Sequence, residues 1–331
     1  MDRIVPAALS LMLLAAGCGT QDVLLDTEKG YLFTAADVLA LPGEEVTLRA
    51  RLQSGDLLAG QSGFVVRFYR DGDLYKAAET GADGAAVVAH TPARPGDEPF
   101  TAALSPNGFS GEPPEPVRLL VACRRPDAPL LVVDLDKTLV ASGFEQVLIG
   151  DPDPMPHSRD VMKRIAARYT VVYLTHRPDY FGPKSKAWLR KQGYPNGPLL
   201  LSDIGGFLKG SEAFKSGRLK DLRERFKRLE VGIGDKISDA RAYHDNGMTS
   251  FAIVRPGDET TAADLRSLIE ALEALPKDVH VVEGWKQIES AIFGDARFPP
   301  SKMLGRVRAM LEAREKAEPE PATDEPGKEG S

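Results

Sequence analysis

The chain has 331 residues, with 42 lysines and arginines against 48 aspartates and glutamates and a formal net charge of −6. That length suits two domains with a sizeable core. The mild acidity argues against a nucleic-acid partner, and no stretch after residue 20 is long and apolar enough to span a bilayer.

The first residues stand apart. Met1 and Arg3 precede an apolar segment, Ile4 to Ala16, that ends in Leu14-Ala15-Ala16-Gly17-Cys18. This is the layout of a secretory signal over residues 1–18, with an apolar core too short for an ordinary transmembrane helix. The small residues before Cys18 resemble the lipobox of bacterial lipoproteins, although Ala15 stands where leucine is usual and Leu14 comes one place early. The resemblance implies cleavage before Cys18, acylation of its thiol and an exported protein lipid-anchored to a bacterial membrane, on the periplasmic or outer envelope face. An ordinary cleaved signal is the competing reading. With Cys18 acylated, Cys123 has no partner, so no disulfide framework is expected.

Residues 19–35 read as a polar connector. From residue 36 to 124 the pattern is β. Val46, Leu48, Ala50 and Leu52 alternate with Thr47, Arg49 and Arg51, the signature of a half-buried strand. Phe64, Val66 and Phe68 repeat it, followed by an Asp71-Gly72 turn. Asp83-Gly84 marks another turn before a strand at Ala85–Ala89, and further strands are expected at Phe100–Leu104 and Val117–Cys123. Val117, Leu119, Val121 and Cys123 share one face, which makes Cys123 a small core residue. Short strands between Gly/Pro-rich turns predict a β-sandwich. Leu41-Pro42-Gly43-Glu44-Glu45-Val46-Thr47-Leu48 resembles the early strands of bacterial immunoglobulin-like domains, which implies a spacer or a binding module whose protein partner is unknown.

Pro126 and Pro129 mark a boundary, and a second domain is expected over 125–295. Apolar runs at Leu130–Val133, Thr170–Leu174, Pro198–Leu201, Val231–Ile233 and Ser250–Val254 alternate with helical stretches. Those stretches are Ser158–Arg168, Pro183–Gln192, Ser211–Leu229, Ser238–Asn246 and Ala262–Leu275. Such alternation predicts a parallel sheet covered on both faces. Residues 296–331 hold one more helical pattern (Met303, Leu304, Val307, Met310, Leu311) and a charged tail whose composition predicts disorder.

Chemistry concentrates at the strand ends. Leu130–Val133 runs into Asp134-Leu135-Asp136-Lys137-Thr138, two carboxylates that are costly to bury without compensation. In an open α/β sheet, ligands bind at that strand end. The run Val171–Leu174 leads into Thr175-His176-Arg177, and Val231–Gly234 leads into Asp235 and Asp239. Lys215 lies early in the helix before that last strand, and Lys220 competes with it for any role at the site.

The succession Asp-x-Asp-x-Thr, strand-end Thr, Lys and Gly-Asp-x-x-x-Asp is similar to the four motifs of haloacid-dehalogenase (HAD) superfamily phosphohydrolases. The resemblance implies an α/β HAD-like Rossmannoid domain and Mg²⁺-dependent hydrolysis of a phosphomonoester. Asp134 would be the nucleophile, forming an aspartyl-phosphate. Asp136 would protonate the leaving alkoxide and then activate water. Asp134 and Asp235 would hold Mg²⁺, with Asp136 through its backbone carbonyl, while Asp239 orients waters or ligates directly. Thr175 and Lys215 would bind phosphoryl oxygens. Arg177 would reach substrate phosphate or pair with a structural acid, and Asp239 could instead cap its helix.

Within the superfamily, Tyr173-Leu174-Thr175-His176-Arg177-Pro178, the Trp188-Leu189-Arg190 helix, Gly197-Pro198-Leu199-Leu200-Leu201-Ser202 and Glu212-Ala213-Phe214-Lys215 resemble the catalytic domain of lipin-type phosphatidate phosphatases. The likeness covers roughly residues 130–256 and implies a phosphorylated lipid as substrate. Lipins carry glycine where Lys137 stands and asparagine where Asp235 stands. Too few residues separate Thr138 from Thr175 for a large cap domain, which leaves the site open to a bulky substrate. The competing readings are a phosphatase for soluble or protein-bound phosphate and a non-catalytic envelope binding protein.

Overall fold

The computed structural model describes residues 30–55, 57–109, 112–142, 151–203, 207–208 and 210–317. The signal segment with Cys18, the first part of the 19–35 connector and the charged tail lie outside the described residues. The chain begins with β1 (Tyr31–Ala35) and β2 (Val38–Ala40), then β3 (Val46–Ser54), β4 (Ala59–Gly60), β5 (Val65–Arg70) and β6 (Asp73–Glu79). It continues with β7 (Ala85–His90), β8 (Gly96–Leu104) and β9 (Val117–Cys123). One sheet pairs β3 with β1, β4 and β7, all antiparallel. The other has the order β2-β9-β8-β5-β6, in which only β2 and β9 run parallel.

The two sheets face each other across one core. Leu48, Ala50 and Leu52 of β3 enter it from one side, and Val66, Phe68, Phe100, Leu119 and Val121 from the other. Thr47 and Arg49 point outward as the alternation requires. Asp71 and Gly72 both have left-handed φ, 52° and 91°, which is the backbone of the tight turn whose twist matches a two-strand hairpin. The connector expected over 19–35 contains β1, whose five residues all pair with β3. Tyr31-Leu32-Phe33-Thr34-Ala35 lacks a polar partner for each apolar residue, so period-two reading passes over it.

After Leu130–Val133 (β10) the chain alternates. Helix α1 (Ser158–Ala166) precedes β11 (Thr170–Pro178), and α2 (Gly182–Lys191) precedes β12 (Leu199–Ser202). Then come α3 (Ser211–Arg225), β13 (Leu229–Gly234), α4 (Ile237–Asp245), β14 (Thr249–Ile253) and α5 (Ala262–Glu273). The series ends with β15 (His280–Val282), α6 (Trp285–Phe293) and α7 (Pro300–Ala317). These strands form a 6-stranded, wholly parallel sheet in the order β12-β11-β10-β13-β14-β15. The chain moves outward from β10 in one direction and then returns to its other side. The reversal makes β10 the topological switch point, where such sheets leave a crevice at the carboxyl edge.

Both faces of this sheet are covered, as its unbroken apolar strands require. Leu131, Val133, Tyr173 and Ile233 pack with Met162, Ile165, Trp188, Trp285 and Ile288. Leu130, Val132, Val172 and Leu174 pack beneath Phe214, Leu219, Leu222 and Tyr243. The latter cluster also takes in Leu39, Leu120 and Ala122 from the β-rich region. Strand β9 is therefore buried on both sides: Leu119 and Val121 enter the first core, Leu120 and Ala122 the second. Helix α3 stops at Arg225, short of the expected Leu229, because Phe226 turns extended and Leu229 opens β13. The carboxyl-terminal helix α7 is docked: its Met303 and Val307 share a cluster with Leu265 and Leu272 of α5.

Because the two halves share an apolar cluster, they should unfold as one unit. Both tryptophans, Trp188 and Trp285, lie in the α/β half. Leu48→Ala in the β-rich core should cost about 2–5 kcal/mol. It should lower the tryptophan-fluorescence midpoint and the far-ultraviolet circular dichroism midpoint together. Separate transitions would show that the halves melt independently.

Candidate active site

Register gathers the site. Val133 pairs with Tyr173 on one side and Ile233 on the other, so the residues that follow all emerge at one sheet edge. Asp134 is fixed there by donating its backbone N–H to the Ile233 carbonyl at 3.0 Å. Asp134, Asp235 and Asp239 bring carboxylate oxygens within 4.8 Å of one another. The Lys215 ammonium is buried among them, 2.5 Å from Asp239 Oδ2 and 3.3 Å from Asp134 Oδ2.

Helix phase explains the lysine. Phe214, Lys215, Leu219 and Leu222 form the buried face of α3, spaced at three and four residues. Lys220 is exposed on the same helix, so only Lys215 brings its amine to the cluster. Asp239 sits in the first turn of α4, whose N-cap is Lys236 and carries no side-chain capping bond. Its carboxylate accepts from Lys215 instead and gains from the positive end of the helix dipole. Gly232 allows α4 to approach the sheet, since a Cβ there would lie 2.1 Å from Tyr243 Cγ.

One ammonium facing several acids leaves a deficit of positive charge. Burial pushes the Asp134 carboxyl up to about 7, and the charges of Asp239, Asp235 and Asp136 add to the rise against the pull of Lys215. Asp235 is raised by burial and then by Asp239. Burial alone would lower the Lys215 amine, but Asp134, Tyr243 and Asp239 outweigh it and hold the amine above its ordinary value. Asp239 Oδ1, Thr138 Oγ1 and the Tyr243 hydroxyl are buried without a hydrogen-bond partner among the described residues. Hard carboxylate oxygens held close together, one of them orphaned, form a donor set that suits a small divalent cation such as Mg²⁺.

Asp136 faces a different partner. Its Oδ1 accepts from Arg177 Nη2 at 2.6 Å and its Oδ2 from Arg177 Nε at 2.9 Å, while Arg177 Nη1 donates to Ser185 Oγ at 2.9 Å. Of the two roles expected for Arg177, binding substrate phosphate or pairing with an acid, the structure shows the pairing. The guanidinium is 3 % exposed and its planar fork matches a carboxylate, so it holds Asp136 in place. The carboxylate of Asp136 is thus paired with Arg177 and is not one of the three acids gathered at the centre. Thr175 is buried, and its hydroxyl accepts a long 3.4 Å bond from the Arg177 N–H.

Sequence reasoning passed over Ser185 and Lys184. Ser185 is buried on α2, and its only sequence signal is a small polar residue three places before Trp188 on an otherwise apolar face. The Lys184 amine is lowered by burial and then by the Arg177 charge, which places a second cation beside that guanidinium. Lys137 is exposed and has a left-handed φ of 52°, a conformation in which glycine avoids a steric cost.

The carboxylate–lysine centre at the switch point lies in an α/β region whose Asp134, Asp235 and Asp239 could hold a metal ion. Residues 131–254 match the family model described as PITM 1-3, LNS2 domain, a lipin/Smp2-like domain of the HAD-like phosphatidate phosphatase family. The matched segment contains all of Asp134, Asp136, Thr175, Arg177, Lys215, Asp235 and Asp239, and leaves the β-rich region outside. No curated protein matches the chain. Solved structures give weak likenesses only. The CARDB domain of PF1109 from Pyrococcus furiosus is 16% identical, covering 29% of this chain and 96% of that one, at a TM-score of 0.23. The D00-D0 domain of Intimin is 18% identical, covering 28% and 47%, at 0.22.

Two outcomes follow from these charges. Without a cation, the native state keeps a proton on Asp134 that the unfolded chain releases above about pH 4, so this group's contribution to stability falls as pH rises from about 4 to about 7. Cation binding must displace that proton. Saturating MgCl₂ should therefore raise the Tm more at about pH 8 than at about pH 5, and Asp239→Asn should abolish most of the gain. Separately, Lys137→Gly should leave the Tm unchanged or raise it by a few degrees, because it removes about 1 kcal/mol of backbone strain. Thermal melts of both variants check these outcomes.

Proposed function

We propose that the chain is an exported, lipid-anchored phosphatase that hydrolyses phosphomonoesters through an aspartyl-phosphate, with phosphatidate or a related lipid phosphate as substrate. The observation that carries this reading is the buried Lys215 ammonium bridging Asp134 and Asp239 beside Asp235, with Asp136 held separately two residues beyond Asp134. The LNS2 match supports HAD-like phosphatase chemistry in the same segment. The lipobox-like ending at Cys18 and the lipin-like run at 173–178 support a lipid substrate.

A carboxylate oxygen of Asp134 attacks phosphorus, and the bond from phosphorus to the ester oxygen breaks. Asp136 gives its proton to that departing oxygen, which leaves as the alcohol. Phosphorus is then bonded to Asp134. Asp136, now ionised, takes a proton from water, whose oxygen displaces Asp134 and releases inorganic phosphate. Lys215 stabilises the negative charge that Asp134 and the phosphoryl oxygens share, and the Thr175 hydroxyl is available to donate to one of those oxygens. Mg²⁺ held by Asp134, Asp235 and Asp239 would supply the positive charge that a single lysine does not. With both its oxygens on Arg177, Asp136 must give up part of that pairing to carry a proton.

Asp134→Asn should reduce phosphate release by at least about 10³-fold, because the nucleophile is lost while the fold keeps an isosteric side chain. A phosphate-release assay on phosphatidate vesicles with MgCl₂ measures this. Unchanged turnover in the variant would sink the covalent mechanism. A wild-type protein that hydrolyses soluble monoesters but leaves phosphatidate intact would confine the activity to soluble or protein-bound phosphate.

A further inference from the structure

The β-rich region does more than stand beside the site. Asp37, between β1 and β2, accepts from Lys186 Nζ at 2.6 Å and from the Leu120 N–H at 2.8 Å on one oxygen, and from the Leu199 N–H at 3.0 Å on the other. Lys186 also donates to the Ala35 carbonyl at 2.9 Å and the Arg118 carbonyl at 3.0 Å. An ammonium has three protons to give, and all three have acceptors in the β-rich region. The Asp37 and Lys186 side chains are only 5 % and 15 % exposed. A solvated helix lysine would show none of this.

The residue before Lys186 is Ser185, fully buried and bonded to Arg177 Nη1. Adjacent helix positions point about 100° apart, so α2 holds the β-rich region with one residue and the Asp136–Arg177 pair with the next. A second tie lies two residues beyond Arg177 in the sequence. Arg51 of β3 stands 3.7 Å from Asp179, in the turn that follows Pro178.

We infer that Lys186, locked by Asp37, is a positioning residue that sets the place of the Asp136 carboxyl through Ser185 and Arg177. The inference rests on the proposed reading of Asp136 as the acid that protonates the leaving oxygen. Its consequence is chemical. An alkyl ester needs that proton as the bond from phosphorus to oxygen breaks, and a displacement of about 1 Å costs on the order of 10²-fold. A p-nitrophenolate leaves without a proton, so its ester tolerates a misplaced acid.

The test measures kcat/KM with MgCl₂ on phosphatidate and on p-nitrophenyl phosphate for the full chain and for Lys186→Met, Asp37→Asn and Ser185→Ala. In each variant the alkyl ester should lose at least about tenfold more than the aryl ester, in line with the worth of a general acid. Ser185→Ala removes one hydroxyl away from the interface and guards against variants that fail to fold. Loss of folded protein lowers both substrates equally, so an equal decline, or none, overturns the inference. A wild-type chain inactive on both esters overturns the reading of the site itself, a result distinct from an active wild type with undiscriminating variants.

Discussion

The buried ammonium of Lys215 is the contact on which the site depends. Among the described residues it is the one cation placed within reach of both Asp134 and Asp239, and Asp235 adds further negative charge close by. A buried acid cluster without it would carry a desolvation cost that packing alone does not offset. Even with it, burial first and the neighbouring carboxylates second hold Asp134 and Asp235 above their ordinary values, and Asp239 Oδ1 has no hydrogen-bond partner among the described residues. The three carboxylates remain close enough together to hold a metal ion.

The sheet order turns a scattered set of residues into this centre. Asp134 and Asp235 belong to segments a hundred residues apart, yet β10 and β13 are neighbours and end together. Asp136 is kept from joining the cluster by Arg177, which takes both its oxygens. Two carboxylates so near in sequence thereby receive different environments, one among acids and a lysine, the other in a guanidinium fork. Such a division suits a nucleophile and a proton carrier that must act in turn.

Much of this was legible in the sequence because the signals were local. The β10 run, the strand end at Asp235 and the helix bearing Lys215 all follow from apolar runs and their boundaries, whereas β11 continues past the expected end at Leu174, through Thr175, to Pro178. The choice between Lys215 and Lys220 was left open, although Lys215 lies four residues before Leu219 and seven before Leu222. What local patterns missed depends on contacts across the fold. Arg177 meets Asp136 and Ser185 through tertiary packing, which no periodicity encodes. Strand β15 has three residues, and it draws its order from pairing with β14 rather than from its own pattern. Leu120 and Ala122, which alternate with the residues of β9 that enter the first core, cover a second core.

That doubly covered strand has a consequence for how the chain can be divided. Leu120 and Ala122 act as interior residues of the α/β half although they belong to the β-rich half, and Arg124 at the end of β9 donates to Thr170 of β11. A fragment cut at Pro126 would carry every reacting group yet expose the apolar surface those side chains seal. The natural excision point by sequence is therefore a poor one by solubility. The smallest piece that keeps its interior dry begins upstream of β1.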